Sequence, residues 1–133
     1  MRKQRRWVSW SLEGSKKIPR SKGGSTASVT DPSTWGSFPE VKAAGRIGFV
    51  LGDGVGCWDF DGCIEGGVID PWVIDFLSGK DILYTEVSQS GCGVHAFVPA
   101  AEAPGWRRTI SGHKVEFYSR DRFIAMTGDR LML

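Results

Sequence analysis

The stretch IGFVLGDGVGCWDFDGC, residues 47–63, decides the fold predicted for this chain. Apolar residues alternate with small ones over residues 47–51, Gly52-Asp53-Gly54 supplies turn residues, and an extended run resumes over residues 55–61. Two extended runs joined by such a turn predict a β-hairpin. We therefore expect the rest of the chain to be built around this hairpin.

Two aspartates close the second predicted strand. Because strand side chains alternate between two faces, Asp59 and Asp61 point to one side, and Trp58 and Phe60 pack on the other. Two like charges placed in this way repel each other unless a cation lies between them, and Mg²⁺ or Mn²⁺ is the usual cation for oxygen ligands. The alternative is that the pair only ends a strand and starts the turn at Gly62.

Length and composition are typical of one globular domain. The 133 residues are 41% hydrophobic and 24% charged, which suits a single core and excludes a disordered chain. No apolar run has the length of a membrane helix, and no apolar segment follows the charged N-terminus, so we expect a cytoplasmic protein without a membrane partner. Cys57, Cys63 and Cys92 are odd in number and lack metal-site spacing, which favours small buried thiols.

Charge is distributed unevenly along the chain. The first 24 residues carry eight basic side chains and one acidic one, whereas the remaining 109 carry nine basic and fourteen acidic ones. A cationic segment on an acidic body predicts a polyanionic partner, although a solvated and partly disordered leader has the same composition. Residues 1–6 are predicted as a basic arm that binds nucleic acid through Arg2, Lys3, Arg5 and Arg6.

The remaining segments predict short strands and two helices, which together indicate an α+β fold with a mostly antiparallel sheet. Ser37 is expected to cap a helix that ends near residue 44, and Asp70-Pro71 to begin a second one. Strands are expected to begin at residue 7 and to cover residues 84–87, 94–98, 114–118 and 123–126, the last two forming a final hairpin. Loops are expected at residues 14–28 and 100–112.

Four further polar residues extend the acidic pair. Glu116 lies between apolar strand residues, where a carboxylate is costly unless it is paired or bound to a metal. Three carboxylates on neighbouring strands suit two cations and displacement at phosphorus. His95 follows a glycine-rich turn and either donates to a phosphate oxygen or is a satisfied core residue. Arg120 and Arg122 either clamp a triphosphate or form a polar hairpin tip.

The order of these motifs resembles the primase-polymerase (prim-pol) domain of the archaeo-eukaryotic primase superfamily, in the version common in phages and mobile elements. The resemblance covers residues 7–130. It is carried by DFD at residues 59–61, SQSGCGVH at 88–95, KVEFY at 114–118, RDRF at 120–123 and TG at 127–128, with support from KIP at 17–19, Asp31-Pro32 with Trp35, and IGFVLG at 47–52.

The resemblance implies a sheet like that of an RNA-recognition motif joined to a small second α/β unit, in one catalytic domain over residues 7–133. It implies that Asp59, Asp61 and Glu116 bind the catalytic metals and that His95 contacts the phosphates of the nucleotide. Arg122, Arg120 and Lys17 are predicted near the triphosphate. Gly93 stands where much of the superfamily has serine, so a hydroxyl contact to phosphate is absent or is moved to Ser88 or Ser90.

The implied function is that of a DNA primase/polymerase that uses Mg²⁺ or Mn²⁺ to transfer nucleotides from NTP or dNTP on a single-stranded DNA template. Arg107 and Arg108, with exposed aromatic residues such as Trp35 or Trp106, are expected to help hold the template. The resemblance also implies a helicase and a helical accessory domain as partners. It implies a bacterial host that carries a phage or prophage. The chain is then either the catalytic core of a longer protein or a stand-alone minimal protein.

Two other functions remain open. A metal-dependent nuclease also uses clustered carboxylates, although no residue stands out as a base that activates water. The third possibility is a nucleic-acid-binding or nucleotide-binding module that keeps the fold without catalysis.

Overall fold

A computed structural model describes residues 1–133 and shows an α+β fold in which every strand pair is antiparallel. The helices are Phe38–Lys42 (α1) and Pro71–Leu77 (α2), and a short 3₁₀ turn covers Pro32–Thr34. The strands are Trp7–Glu13 (β1), Lys16–Arg20 (β2), Ile47–Val50 (β3), Val55–Phe60 (β4), Ile64–Glu65 (β5), Val68–Ile69 (β6), Tyr84–Val87 (β7), Val94–Pro99 (β8), Trp106–Ile110 (β9), His113–Tyr118 (β10) and Phe123–Met126 (β11).

The chain divides into two compact units, and residues 7–133, predicted as one catalytic domain, contribute to both. The first unit comprises residues 1–51 and 121–126, and the second comprises residues 52–120 and 127–133. Neither helix has the length and apolar character needed to cross a membrane.

The first unit is built on a four-stranded sheet in the order β11-β3-β1-β2. Val8 and Val50 are fully buried in its core, and Trp35 packs against them. The predicted cap is confirmed, since Ser37 accepts a hydrogen bond from the amide of Glu40 and the Glu40 side chain accepts one from the amide of Ser37. This reciprocal pairing satisfies two amides that the start of α1 would otherwise leave open.

The second unit contains a five-stranded sheet in the order β7-β8-β4-β10-β9 and the two-stranded ribbon β5-β6. Helix α2 begins at the predicted cap, Asp70, which accepts a hydrogen bond from the amide of Trp72. The helix buries Val73 and Leu77 in an apolar cluster with Phe60 of β4. This cluster also includes Val94, Ala96 and Val115, and it fixes which faces of β4, β8 and β10 point into the core.

The predicted hairpin over residues 47–61 is wrong. A tight turn does form, because Gly52 and Val55 exchange two backbone hydrogen bonds of 3.1 Å. Beyond that turn the two strands belong to different sheets, with β3 between β1 and β11, and β4 between β8 and β10. The alternation of residues identifies two central strands correctly, but it carries no information about which strand pairs with which.

The final predicted hairpin and two predicted loops are also corrected. Strand β10 pairs with β4 and β9, whereas β11 pairs with β3. The loop predicted at residues 100–112 contains β9, and the loop predicted at residues 14–28 contains β2. Both missed strands lie at a sheet edge, where polar side chains and proline are tolerated, so neither has the apolar pattern that reveals a strand.

The basic arm at residues 1–6 is partly held in the first unit. The Arg6 guanidinium donates to the backbone oxygens of Val50 and Leu51, each at 2.8 Å. Arg5 forms an ion pair of 2.9 Å with Glu40. These contacts argue against a fully solvated leader.

The three cysteines do not share one environment. Cys57 and Cys63 are buried as expected, but Cys92 is exposed. Cys92 lies in the turn before β8, where its backbone oxygen accepts hydrogen bonds from the amides of Cys63 and Ile64. The backbone of Cys92 is therefore structurally engaged, while its side chain faces solvent.

Candidate metal and nucleotide site

Five ionisable side chains form one row across the five-stranded sheet. Glu86 of β7 lies opposite His95 of β8, His95 opposite Asp59 of β4, Asp59 opposite Glu116 of β10, and Glu116 opposite Arg107 of β9. Residues directly opposite each other in an antiparallel pair share a face, so all five lie on the same face of the sheet. We name these five residues the transverse row.

Neighbouring members of the transverse row are in direct contact at three steps. His95 Nδ1 lies 3.2 Å from Glu86 Oε2, and His95 Nε2 lies 3.7 Å from Asp59 Oδ1. At the other end, Arg107 Nε lies 2.7 Å from Glu116 Oε1. Each carboxylate of the transverse row therefore has a basic side chain next to it. Asp59 and Glu116 are the one pair in the row in which two carboxylates lie opposite each other.

Asp61 completes an acidic cluster at this step. One ligand oxygen from each of Asp59, Asp61 and Glu116 lies within 4.8 Å of the other two. Asp59 and Glu116 are half-buried, while Asp61 is exposed and opens the cluster to solvent. Like charges directly opposite each other destabilise a sheet, and carboxylate oxygens are preferred ligands of hard divalent cations. The cluster therefore fits a divalent cation, and the predicted grouping of the three carboxylates is confirmed.

Glu116 is held by two neighbours. The Tyr118 hydroxyl donates a hydrogen bond of 2.8 Å to Glu116 Oε1, the same oxygen that Arg107 contacts. The hydrogen bond to Tyr118 and the charge of Glu116 raise the pKa of Arg107 above its ordinary value, so this guanidinium stays charged. Arg107 was predicted as a template contact, and here it neutralises a member of the acidic cluster.

Sequence reasoning missed Glu86. Its side chain is fully buried, and it accepts hydrogen bonds from the amides of Thr127 at 3.0 Å and Gly128 at 3.2 Å in addition to its contact with His95. The signal was present in the sequence, because a carboxylate inside a short strand is as costly at Glu86 as at Glu116.

The turn before His95 is internally hydrogen-bonded. Ser88 Oγ accepts a hydrogen bond from the amide of Gly93, and Ser90 Oγ accepts one from the amide of Cys92. The two hydroxyl oxygens lie 3.2 Å apart. Ser90, the predicted phosphate contact, is exposed at this turn, four residues before the start of β8.

The other predicted nucleotide contacts are distributed between the two units. Arg120 is exposed in the second unit, directly after β10. Lys17 and Arg122 lie in the first unit, where the Lys17 ammonium is 5.7 Å from the centre of the Trp10 ring. Contact of these three side chains with a nucleotide stays a prediction.

The predicted nucleic-acid contacts are also found in both units. Arg108 is exposed in the second unit and lies 4.3 Å from the centre of the Trp106 ring. In the first unit, the Arg2 guanidinium lies 4.7 Å from the centre of the Phe38 ring, and Lys3 is exposed. Each exposed cation leaves charge available for a phosphate, and DNA binding by these residues stays a prediction.

Cys63 is close to the acidic cluster in sequence but is not a suitable metal ligand. Burial raises the pKa of its thiol to about 11. The group of side chains close enough to share a cation consists of Asp59, Asp61 and Glu116, which offer oxygen ligands alone.

No family model matches the chain. It is 33% identical to the DNA primase-polymerase of Nitratiruptor phage NrS-1 over 139 aligned positions, which cover 92% of this chain and 19% of the phage protein. This similarity supports a primase-polymerase domain of phage type. The chain spans about a fifth of the length of the phage protein it matches.

The metal fit predicts the behaviour of Asp61→Asn. This substitution should remove most of the stabilisation that Mn²⁺ gives the wild-type domain, while the metal-free domain loses little stability because Asp61 is exposed and lies beside two other carboxylates. A ligand at 100 times its dissociation constant adds about 2.7 kcal/mol to the free energy of unfolding, so the difference is large enough to see in thermal unfolding with and without Mn²⁺.

Asp75→Asn is the matched control for that experiment. Asp75 is an exposed aspartate on α2 of the same unit, outside the acidic cluster. It should keep the full response to Mn²⁺. An equal response to Mn²⁺ in Asp61→Asn and the wild type would contradict the assignment.

The packing of Gly93 predicts that serine is not tolerated there. A Cβ atom at this position would lie 2.7 Å from the Phe60 backbone oxygen and 2.7 Å from Ser88 Oγ. Gly93→Ser should lower the free energy of unfolding by about 1–3 kcal/mol, the usual cost of overpacking, as measured by urea denaturation. Gly23→Ser is the control, since a Cβ atom at Gly23 would have no atom within 4 Å. Equal stability of the two variants would contradict the prediction that Gly93 has no room for a side chain.

Proposed function

We propose that this domain is a nucleotidyltransferase that extends or initiates a strand on single-stranded DNA from NTP or dNTP, with Mg²⁺ or Mn²⁺ bound by Asp59, Asp61 and Glu116. The observation that carries the proposal is the Asp59–Glu116 step of the transverse row, where two carboxylates face each other and Asp61 adds a third. Similarity to a phage primase-polymerase supports the same reaction class.

The bound cations would lower the pKa of the attacking 3′-hydroxyl and neutralise charge on the triphosphate. The protein's part in this reaction is to hold and orient. Asp59 and Glu116 provide ligand oxygens from two adjacent strands, so their separation is set by the sheet. Asp61 lies just beyond β4 and provides the third ligand from the exposed side.

His95 is proposed to contact the phosphates of the incoming nucleotide. Its Nε2 atom lies 3.7 Å from Asp59 Oδ1, which places the ring edge beside the metal ligands. When both ring nitrogens are protonated, Nε2 can donate to a phosphate oxygen while Nδ1 faces Glu86. Ser90, Arg120, Arg122 and Lys17 are proposed as further contacts to the triphosphate, with Ser90 acting from the exposed turn that leads into β8.

Template binding is proposed for the exposed cations Arg2, Lys3, Arg107 and Arg108, with Arg5 and Arg6 contributing positive charge to the same arm. Arg108 is exposed on the edge strand β9 and its guanidinium packs over the ring of the half-buried Trp106. Such a pair suits single-stranded DNA, because phosphates bind the charge and bases stack on flat groups. We propose phage or plasmid replication in a bacterial cytoplasm as the setting, with a helicase and a helical accessory domain as partners.

The central test is nucleotide incorporation on an unprimed single strand and on a primed template, with labelled NTP or dNTP and Mn²⁺. Wild-type protein should form products, and Asp59→Ala/Asp61→Ala should form none, because it keeps one of the three metal ligands. Asp75→Ala/Asp81→Ala, which removes two exposed acids of the same unit, should retain activity.

The outcomes of this assay separate the candidate functions. Products on the unprimed strand show a primase, and products on the primed template alone show a polymerase. Shortening of the labelled primer would favour a nuclease. Absence of turnover, together with DNA binding that is the same with and without Mg²⁺, would favour the non-catalytic binding module.

Template affinity should depend strongly on salt. The slope of log affinity against log salt concentration is negative, and each phosphate contact on single-stranded DNA contributes about 0.7 to its magnitude. Arg108→Ala should therefore reduce the magnitude of the slope by about that amount. Fluorescence anisotropy with a labelled oligonucleotide over a series of salt concentrations measures the slope. Lys80→Gln, which removes a cation of the same unit outside the predicted contacts, should leave it unchanged. A wild-type affinity that barely responds to salt would contradict the template assignment.

A further inference from the structure

Glu86 is a fully buried carboxylate that the chemistry described above does not use. It lies at the β7 end of the transverse row, two residues from the glycine-rich turn that precedes His95. Burying a charged group costs several kcal/mol unless hydrogen bonds replace the lost water, so its position requires an explanation.

Three nitrogen atoms surround the Glu86 carboxylate. Oε2 accepts from the Thr127 amide at 3.0 Å, Oε1 accepts from the Gly128 amide at 3.2 Å, and His95 Nδ1 lies 3.2 Å from Oε2. Backbone amides donate to both carboxylate oxygens, so Glu86 is arranged as an acceptor, and we assign Nδ1 of His95 as the donor in this contact. This assignment places a proton on the ring nitrogen that faces Glu86.

The opposite edge of the same ring faces the acidic cluster. Because Nδ1 is held by Glu86, Nε2 is directed towards Asp59 Oδ1, 3.7 Å away. The imidazole is 11% exposed as a side chain and is held between carboxylates on two neighbouring strands. The orientation of the ring thus depends on Glu86 rather than on solvent.

We propose that Glu86 is a positioning residue, which holds His95 through Nδ1 so that Nε2 is presented to a nucleotide bound at the acidic cluster. This inference rests on the proposed function for its consequence in catalysis, while the hydrogen bond itself can be observed without any substrate. Glu86 acts through His95 and touches no reacting atom.

Glu86 also holds the segment that follows β11. The Thr127 hydroxyl donates to the Val87 backbone oxygen at 2.6 Å, and the Val87 amide donates to the Asp129 backbone oxygen at 2.8 Å. A change at Glu86 can therefore loosen this segment as well as the histidine. The test must separate these two effects.

The first measurement is the protonation pattern of the His95 ring in the wild-type domain, by long-range ¹H–¹⁵N NMR correlation. The chain has two histidines, which makes the spectrum simple to assign. The second, His113, is a reference because its nitrogens lie near Ser111 O and Asp70 Oδ2 instead. We expect a proton on His95 Nδ1 that exchanges slowly with water. A ring protonated at Nε2 alone would overturn the proposal.

The second measurement uses substitutions at Glu86 and a matched control. Glu86→Leu removes both acceptor oxygens, and Glu86→Gln restores one of them. Thr127→Val is the control: it removes the hydrogen bond from the Thr127 hydroxyl to Val87 and keeps the Thr127 amide, which donates to Glu86. Loss of an outer hydrogen-bond partner of a site histidine typically costs about 10-fold to 100-fold in activity, so Glu86→Leu should lower kcat/KM by that range. Glu86→Gln should recover most of the loss, and Thr127→Val should match the wild type.

Each outcome of this series decides the proposal. A folded Glu86→Leu protein with wild-type His95 signals and wild-type kcat/KM would overturn it. If Glu86→Leu does not fold, Glu86→Gln decides, because its His95 Nδ1 signal must then move further from the wild-type position than that of Thr127→Val. A wild-type domain that shows the Nδ1 proton but no nucleotide incorporation would disprove the proposed function and leave the Glu86–His95 assignment standing.

Discussion

The register of the five-stranded sheet is the constraint on which the candidate site depends. A shift of one residue in any pairing would move every side chain of that strand to the other face. The transverse row therefore exists because Phe60, Val94 and Val115 are fixed on the opposite face by the core under α2. The apolar cluster, which takes no part in the chemistry, is what brings Asp59 to Glu116 and His95 to Asp59.

The distribution of charges along the transverse row indicates where a cation would bind. Inside a protein, charges interact more strongly than in water, so an arrangement of like charges has to be compensated. Glu86 is compensated by His95 and two backbone amides, and Glu116 by Arg107 and Tyr118. At the step between Asp59 and Glu116 two carboxylates lie opposite each other, with Asp61 close to both. Carboxylates grouped in this way break a local rule of sheet stability, and such departures are expected at functional sites.

The sequence allowed the three carboxylates to be predicted, because each follows from a local rule. The two-residue period of a strand places Asp59 and Asp61 on one side, and the cost of a carboxylate between apolar neighbours singles out Glu116. Strand pairing does not follow from local rules, so both predicted hairpins were wrong. The partners of β3 and β4 are chosen by packing between segments distant in sequence, and the polar edge strands β2 and β9 have no apolar pattern to detect.

Side-chain burial decreases along the transverse row from Glu86 to Arg107. The buried end holds His95 in place, and the exposed end has an ion pair that can be replaced. The exposed fraction of the side chain rises from 0% at Glu86 through 11% at His95, 14% at Asp59 and 16% at Glu116 to 76% at Arg107. Breaking the buried Glu86–His95 contact would leave the buried Glu86 carboxylate without one of its three hydrogen-bond partners. The Arg107–Glu116 pair is exposed on its basic side, where solvent screens the attraction, so a bound cation can replace Arg107 as the partner of Glu116. The sheet therefore holds His95 in a buried position, whereas Glu116 can exchange its contact with Arg107 for a contact with a bound cation.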